Sequence, residues 1–322
     1  ARRDWDSFET SWDFVRHPFL IYGEQANTIQ TAFEQWSAFA DRQFQKMKQN
    51  EEETNRLFIK IYGLEHEMTP EVPDEDITIR RADRERDVRS FVSYAVGCML
   101  GRYSLDEAGL VYAGGGFDTD KYRSFMPDTD GVLPVLDDEY FQDDTVGRFI
   151  EFVRVCFGSS TLEENVDWIA DSLGRRGEET SRDTIRRYFL DEFYRDHVRT
   201  YKKRPIYWMF SSGKQKGFQA LIYMHKYQSD TVALVRTKYL LELESRIDAR
   251  VRSLHKAIDS GIAGATKAQV SMATAKLERQ LAELRAYDEE MHSVADDMLE
   301  LELDDGVAEN YAKFAPVLEA LR

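Results

Sequence analysis

Seven cationic side chains lie close together between His197 and Ser229, a stretch that contains no carboxylate. The formal net charge of the 322-residue protein is −16, so the chain without these seven cations sums to −23. A cationic segment on an acidic body is the pattern that local contact with phosphate groups requires. Aromatic residues are interleaved with the cations, which are Arg199, Lys202, Lys203, Arg204, Lys214, Lys216 and Lys226.

The same segment has a second interpretation as a basic β-hairpin with an ordinary aromatic core. Residues 205–210 and 218–224 are predicted strands, joined by Ser-Ser-Gly-Lys-Gln-Lys-Gly. Strands are normally rich in aromatic residues, and lysines on a turn need no ligand. Composition alone leaves both interpretations open. If the segment does bind DNA, the candidate contacts to the backbone are Arg199, Lys202, Lys203, Arg204, Lys214 and Lys216, with Lys214 and Lys216 projecting from the hairpin tip.

Motifs for catalysis are missing from the chain. A methyltransferase that acts on the amino group of a base needs an Asn/Asp-Pro-Pro-aromatic loop, and no two prolines are adjacent. A metal-dependent nuclease needs a lysine two residues after an acid, and no lysine has that neighbour. The six histidines lack metal-ligand spacing. We therefore predict no catalytic, cofactor-binding or metal-binding residue in this chain.

The cysteine content and the length of the apolar stretches indicate the cellular compartment. The chain has only two cysteines, Cys98 and Cys156, which favours a reducing cytosol. The longest apolar stretch, residues 91–101, is about half the length needed to span a bilayer. We expect a cytoplasmic protein with no membrane partner. Because the sequence starts at Ala1 within a patterned segment and lacks an initiator methionine, we also expect it to be a fragment of a longer protein.

The periodicity predicts a mainly α fold (α+β class) with three parts. Residues 1–78 form a helical segment, in which Trp5, Phe8 and Trp12 share a stripe that we expect in the core. Within it, residues 27–62 are predicted to form one long amphipathic helix, or two helices joined near Asn50. Residues 79–230 form a mainly helical domain that contains a loop-rich insertion (109–144) and the basic hairpin (205–224). The insertion holds Gly114–Gly116, which could be a phosphate cradle, although a flexible turn is favoured because no long helix follows.

Helices are predicted within the middle part, the first of them over residues 80–103, and a helical hairpin follows it. Thr161-Leu162-Glu163-Glu164 predicts a capping box, and residues 181–201 a further helix. Residues 231–322 predict an antiparallel, coiled-coil-like helical hairpin whose turn is Ser260-Gly261-Ile262-Ala263-Gly264. Residues 286–312 carry ten acids and no lysine or arginine, which makes that end a poor surface for DNA.

Four strings in order carry a resemblance to a known family. They are DWDSFETSWDF (4–14), ETNRLFIKIYGL (53–64), RDVRSFVSYAVGCMLGRYSLDEAGL (86–110) and KKRPIYWMFSSGKQKGFQALIYMHKY (202–227). At these strings the chain resembles the C-terminal part of the adenine-specific DNA methyltransferases of BREX phage-defence systems, the PglX type. The resemblance covers nearly the whole chain in the order of the family.

The resemblance implies a larger enzyme with S-adenosylmethionine as its cofactor. It implies an upstream methyltransferase core and a target-recognition module that precede this region, with double-stranded DNA as substrate and other BREX subunits as potential partners. This chain lacks the Asp-Pro-x-x-Gly-x-Gly and Asn-Pro-Pro-Tyr motifs of the family, so no catalytic or cofactor residue carries over.

Two functions are compatible with the sequence. In the first, the region is non-catalytic, supports target recognition and contacts the DNA backbone. In the second, it is a protein-interaction scaffold, in which the acidic hairpin and the aromatic face of 205–224 dock other defence-system subunits and DNA is not touched. The two differ in whether the cations of 199–216 share one exposed face.

Overall fold

Helices make up most of the fold, and one small antiparallel sheet joins them. The computed structural model describes residues 2–260 and 265–321. The predicted mainly α class with a small β part is confirmed. No helix among the described residues is both long enough and apolar enough to cross a membrane.

The N-terminal part is built around two helices with well-defined ends. Asp83 caps the start of the second by accepting from the backbone N–H of Arg86, and Gly101 ends it at φ +80°, where glycine carries no steric penalty. This helix is buried over most of its length and forms the centre of the first core. The elements of this part are α1 (Arg2–Trp5), α2 (Pro18–Tyr22), α3 (Ile29–Tyr62) and α4 (Arg84–Leu100).

The predicted apolar stripe of Trp5, Phe8 and Trp12 is wrong. Trp5 is 64% exposed and Trp12 is fully exposed. The reason is local: helix α1 ends at Trp5 and turns follow it, so a helical spacing of three and four residues no longer places side chains on one face.

Short helices pack around α4 in the middle part. The predicted capping box at Thr161 is wrong, because Thr161 Oγ1 caps no backbone N–H of the first turn; it donates to the carbonyl of Asn27 (2.7 Å) and accepts from the side chain of Asn165 (3.2 Å). A capping box does form between Thr180 and Asp183. The elements are α5 (Thr145–Phe157), α6 (Leu162–Ser172), α7 (Ser181–Tyr188), a π-helical turn (Phe189–Phe193) and α8 (Tyr194–Thr200). The helix predicted over 181–201 is therefore interrupted.

The sheet separates two hydrophobic cores. Its strands are β1 (Val132–Pro134), β2 (Tyr207–Ser211) and β3 (Gln219–Tyr223), in the antiparallel order β1-β3-β2. Side chains alternate along β2, so that Tyr207 and Met209 face the first core, whereas Trp208 and Phe210 face the second. Both hairpin strands are consequently buried on both faces. The loop-rich segment 109–144 supplies β1.

The C-terminal part is a helical hairpin followed by a return segment. The elements are α9 (Thr231–Leu234), a π-helical turn (Val235–Leu240), α10 (Leu241–Asp259), α11 (Ala265–Asp296) and α12 (Val307–Lys313). Apolar residues of α10 and α11 share the second core, as the periodicity predicted. Residues 261–264 of the predicted turn lie outside the described residues. Beyond α11 the chain folds back, and Leu318 forms a β-bridge with Phe210, so residues 297–321 are not part of the coiled-coil-like pair.

Replacing Leu281 by alanine is expected to lower the free energy of unfolding by about 2 to 3 kcal/mol. Leu281 is 7% exposed, at the edge of the second core, which favours the lower half of the range for leucine truncations. Met272→Ala is the matched control on the same helix, because Met272 is 74% exposed. Denaturant unfolding measures both changes. A loss below about 0.5 kcal/mol for Leu281→Ala would contradict the packing of α10 against α11.

Candidate nucleic-acid interface

The candidate cations lie at two separate places. Arg199 ends helix α8 and residues 202–204 follow it, directly before β2. Lys214 and Lys216 lie in the loop after β2. The two groups are therefore at opposite ends of a strand of five residues, roughly 17 Å apart at about 3.3 Å per residue. The structure therefore places the candidate cations in two groups, which strand β2 separates.

The first group is exposed, and Arg195, one turn earlier on α8, is exposed beside it. We call these five residues the basic turn: Arg195, Arg199, Lys202, Lys203 and Arg204. Lys202, Lys203 and Arg204 are exposed and have no ion-pair partner among the described residues. Arg199 is 76% exposed but binds Asp196 at 2.5 Å. Arg195 was missed from the sequence because Glu192 and Asp196 surround it, although its spacing of four from Arg199 places both on one face of α8.

The backbone of the basic turn is in an unusual conformation. Lys202 and Lys203 have φ angles of 52° and 61°, in the left-handed region that glycine normally occupies at the end of a helix. The turn is held by backbone hydrogen bonds, in which Lys203 N donates to Val198 O (2.8 Å) and Arg204 N donates to Tyr201 O (2.9 Å). Two consecutive lysines in this region are uncommon, because a side chain there carries a steric cost that glycine avoids.

Buried polar residues anchor the basic turn to the sheet. His197 Nε2 accepts from the backbone N–H of Tyr207 at 3.0 Å, and the two rings stack with centroids 4.7 Å apart. Burial, together with the charge of Arg102, lowers the pKa of His197 to about 3. This histidine is therefore neutral and structural, and it adds no charge to the surface.

A cleft of about 640 Å³ lies beside the basic turn. Its walls come from the N-terminal segment, α4 and α8, and three acids accompany the cations: Asp4, Glu9 and Asp196. Burial raises the pKa of the Glu9 carboxyl, against a hydrogen bond from Ser93 and the charge of Arg102. The cleft is not a free cationic surface, because Arg86 pairs with Asp87 (2.8 Å) and Arg199 pairs with Asp196 (2.5 Å). Its cations are Arg80, Arg86, Arg89, Arg199 and Lys202, and its hydroxyl residues are Thr10, Thr78, Ser90, Ser93, Tyr188 and Thr200.

Arg89 is a structural member of the cleft wall. Its guanidinium binds Glu192 at 2.8 Å, Glu85 at 2.9 Å and Asp196. Burial lowers the pKa of Arg89, but the carboxylates of Asp196 and Glu192 outweigh burial and leave the pKa above its ordinary value. Arg89 therefore ties α4 to α8 and is not free for a ligand.

The tip of the hairpin is closed by a carboxylate of the protein itself. Glu283 on α11 accepts from Ser212 Oγ (2.8 Å), Gln215 N (2.7 Å) and Gly217 N (3.1 Å). A loop that surrounds an anionic group in this way is already occupied. Lys216 turns away from the tip, because its ammonium pairs with Asp191 and donates to the carbonyl of Leu190 at 2.8 Å. Lys214 is the candidate cation that projects from the tip.

The aromatic residues of the segment are mostly core. Tyr207, Trp208, Phe210, Phe218 and Tyr223 are all buried. They offer neither a stacking surface for bases nor the exposed aromatic face that the scaffold interpretation assigned to 205–224.

Lys226 is not available at the surface either. Its ammonium lies 3.9 Å from the centroid of the Phe117 ring, and burial lowers its pKa to about 8 against the charges of Asp128 and Asp130.

The glycine cluster does not fit a nucleotide cradle. A Cβ added at Gly115 or Gly116 would meet no other atom within 4 Å, so no close approach requires glycine there, and only a 3-10 turn of three residues, Thr119–Lys121, follows. A cradle needs a helix whose N-terminus points at the phosphate.

No group of histidine, cysteine or acidic side chains in residues 2–260 and 265–321 is arranged to hold a metal ion.

Comparison with known proteins places the chain among adenine-specific methyltransferases. No protein-family model matches the chain. It is 44% identical over 319 residues to the adenine-specific methyltransferase PglX of Lacticaseibacillus casei (strain Zhang), a match over 97% of this chain and 26% of the relative. It is 34% identical over 346 residues to the adenine-specific methyltransferase BrxX of Escherichia coli O9:H4 (strain HS), over 99% of this chain and 28% of the relative.

The chain thus spans about a quarter of the length of these relatives. The two matches cover 97% and 99% of the 322 residues, so nearly the whole fold lies within the matched region. The chain belongs to the PglX-type family of adenine-specific methyltransferases.

Proposed function

We propose that this chain is a non-catalytic, C-terminal region of a BREX-type adenine-specific DNA methyltransferase and contacts the DNA backbone through the basic turn. The observation that carries the proposal is that Lys202, Lys203 and Arg204 are available to bind an anion. They are exposed, adjacent in the chain and free of ion pairs in the described structure, and they lie in a stretch, from His197 to Ser229, that contains no carboxylate. Free cations on an acidic protein are the ones that can neutralise phosphates.

The residue types of the basic turn favour contact with phosphates over contact with base edges. Lysine is a point charge on a flexible stem and suits phosphate contact better than bidentate reading of a base. The C-terminal carbonyls of α8 attract nearby cations, but that attraction is worth only about 0.3 to 1 kcal/mol and does not call for three adjacent ones.

The acidic end of the protein would orient the molecule on DNA. Glu289, Glu290 and Asp297 are exposed near the end of α11 and after it, in the segment that carries ten acids and no lysine or arginine. DNA would be repelled from this end and attracted to the basic turn. Base specificity would then come from a target-recognition module elsewhere in the parent enzyme.

The reaction itself would belong to the rest of the parent enzyme. The sequence lacks both motifs of the methyltransferase core, and the glycine cluster does not fit the cofactor. S-adenosylmethionine would therefore be held outside these residues, in an upstream core. Within the cytoplasm, other BREX subunits would be further partners.

The test is the triple variant K202A/K203A/R204A in the full-length parent enzyme. We expect its affinity for specific and for random duplexes to fall by similar factors, roughly 10- to 100-fold, because three exposed charge contacts are worth about 0.5 to 1 kcal/mol each. The methylated sequence should not change, since phosphate contacts carry no sequence information.

The matched control is K256A/K267A/R279A, which removes the same charge from the helical hairpin. These three side chains are exposed and have no ion-pair partner among the described residues. We expect the control to retain affinity. A turn variant that methylates a different sequence would show that the turn reads bases, and unchanged affinity would favour the scaffold function.

A further inference from the structure

The second half of helix α3 projects beyond the core. In the first half, Trp36, Ala40 and Phe44 are buried, but toward the C-terminus only Ile59 is buried and four other apolar side chains of the helix are exposed. The loop that follows covers one side of this half, where Lys48 binds Asp74 at 2.6 Å. The exposed fractions on the other side are 58% for Leu57, 55% for Phe58, 72% for Ile61 and 70% for Tyr62. We call these four residues the α3 apolar face.

The α3 apolar face is continuous and rigid. The spacing of its residues, with steps of one, three and one, places all four within about 140° of the helix circumference at 100° per residue. The rings of Phe58 and Tyr62 lie nearly parallel, with centroids 6.4 Å apart. The helix continues to Tyr62 and ends at Gly63, whose φ is 67°. The face is therefore presented on regular helix, as in helix-groove recognition.

The chemistry of this face indicates a protein partner. It contains no charged side chain, so it cannot neutralise the phosphates of a nucleic-acid backbone. Glu53 and Lys60 lie beside it on the helix and have opposite charges. An apolar centre with a mixed polar rim is the composition of protein–protein interfaces, and contiguous exposed apolar patches mark such sites on soluble proteins.

We infer that the α3 apolar face docks against another part of the same parent polypeptide, outside these 322 residues. This inference rests on the proposed function. The relatives match over 97% and 99% of the chain but only 26% and 28% of their own length, so about three quarters of such a polypeptide is available to cover the face. An intramolecular partner also binds at a high effective concentration, which suits a patch of only four residues.

The experiment places the photo-cross-linker p-benzoylphenylalanine at Tyr62 of the full-length parent enzyme, with and without DNA. After irradiation, mass spectrometry identifies the attached peptide. We expect attachment within the same polypeptide, outside the region described here, with a yield independent of protein concentration. The control places the same group at Gln49, an exposed position on α3 away from the face, and should give no specific product.

Each other outcome overturns the inference. Attachment only to a second copy, with a yield that rises with concentration, would assign the face to an oligomer. Attachment to DNA, or no protein product at Tyr62, would equally remove the intramolecular partner. None of these outcomes bears on the basic turn, because the salt dependence of DNA binding reports on the turn separately.

Discussion

Replacing Trp208 by alanine is expected to lower the free energy of unfolding by about 3 to 5 kcal/mol. Trp208 is completely buried and is among the largest side chains in the core. It projects from β2 onto Tyr311 and Phe314, with ring centroids 5.4 and 5.6 Å away, and its indole N–H donates to Pro205 O at 3.1 Å. The truncation therefore leaves a large cavity and an unsatisfied carbonyl.

The control for this prediction is Trp12→Ala, because Trp12 is fully exposed. Its effect on the free energy of unfolding should stay within about 0.5 kcal/mol. Denaturant unfolding, followed by circular dichroism, measures both variants. The shared sheet further predicts that Trp208→Ala shifts the unfolding of the whole protein. Two transitions of which only one moves would show that the two cores unfold independently.

The local pattern of apolar and polar residues was sufficient to locate the main helices and the hairpin strands. Helix α4 and the arms α10 and α11 carry apolar residues at helical spacing, and the loop between β2 and β3 has glycine and polar residues suited to a turn. The role of the strands was harder to predict. Tyr-Trp-Met-Phe and Ala-Leu-Ile-Tyr are apolar throughout, so the sequence contains no alternation that would reveal which face meets which core.

The features that decide the candidate site depend on contacts between distant residues. Glu283 reaches the hairpin tip from 66 to 71 residues away, and Lys216 pairs with Asp191 across 25 residues. No spacing in the sequence encodes such pairs. The cations could be recognised from the sequence, but which of them are free could not, because that depends on where the acids of other elements lie.

Exposure on α3 escaped prediction for a similar reason. Leu57, Phe58, Ile61 and Tyr62 have the spacing of a buried stripe, and nothing in their pattern differs from that of Trp36 and Phe44. The difference arises because the described chain offers no element to cover them. A helical stripe that is apolar but exposed is therefore informative only once the fold is known.

The salt dependence of DNA binding tests the basic turn most directly. Removing one cation that neutralises a phosphate should lower the slope of log affinity against log salt by about 0.9, so K202A/K203A/R204A in the full-length parent enzyme should flatten the slope by up to roughly 2.7 units. The loop variant K214A/K216A should flatten it by at most about one unit, because Lys216 is engaged with Asp191.

The decisive measurement is fluorescence anisotropy of a labelled random duplex across a series of salt concentrations, for the parent enzyme, the turn variant K202A/K203A/R204A and the equal-charge control K256A/K267A/R279A. We expect a slope flattened by roughly two to three units in the turn variant and an unchanged slope in the control. An unchanged slope in the turn variant, or equal flattening in both, would contradict the claim that the basic turn contacts the DNA backbone.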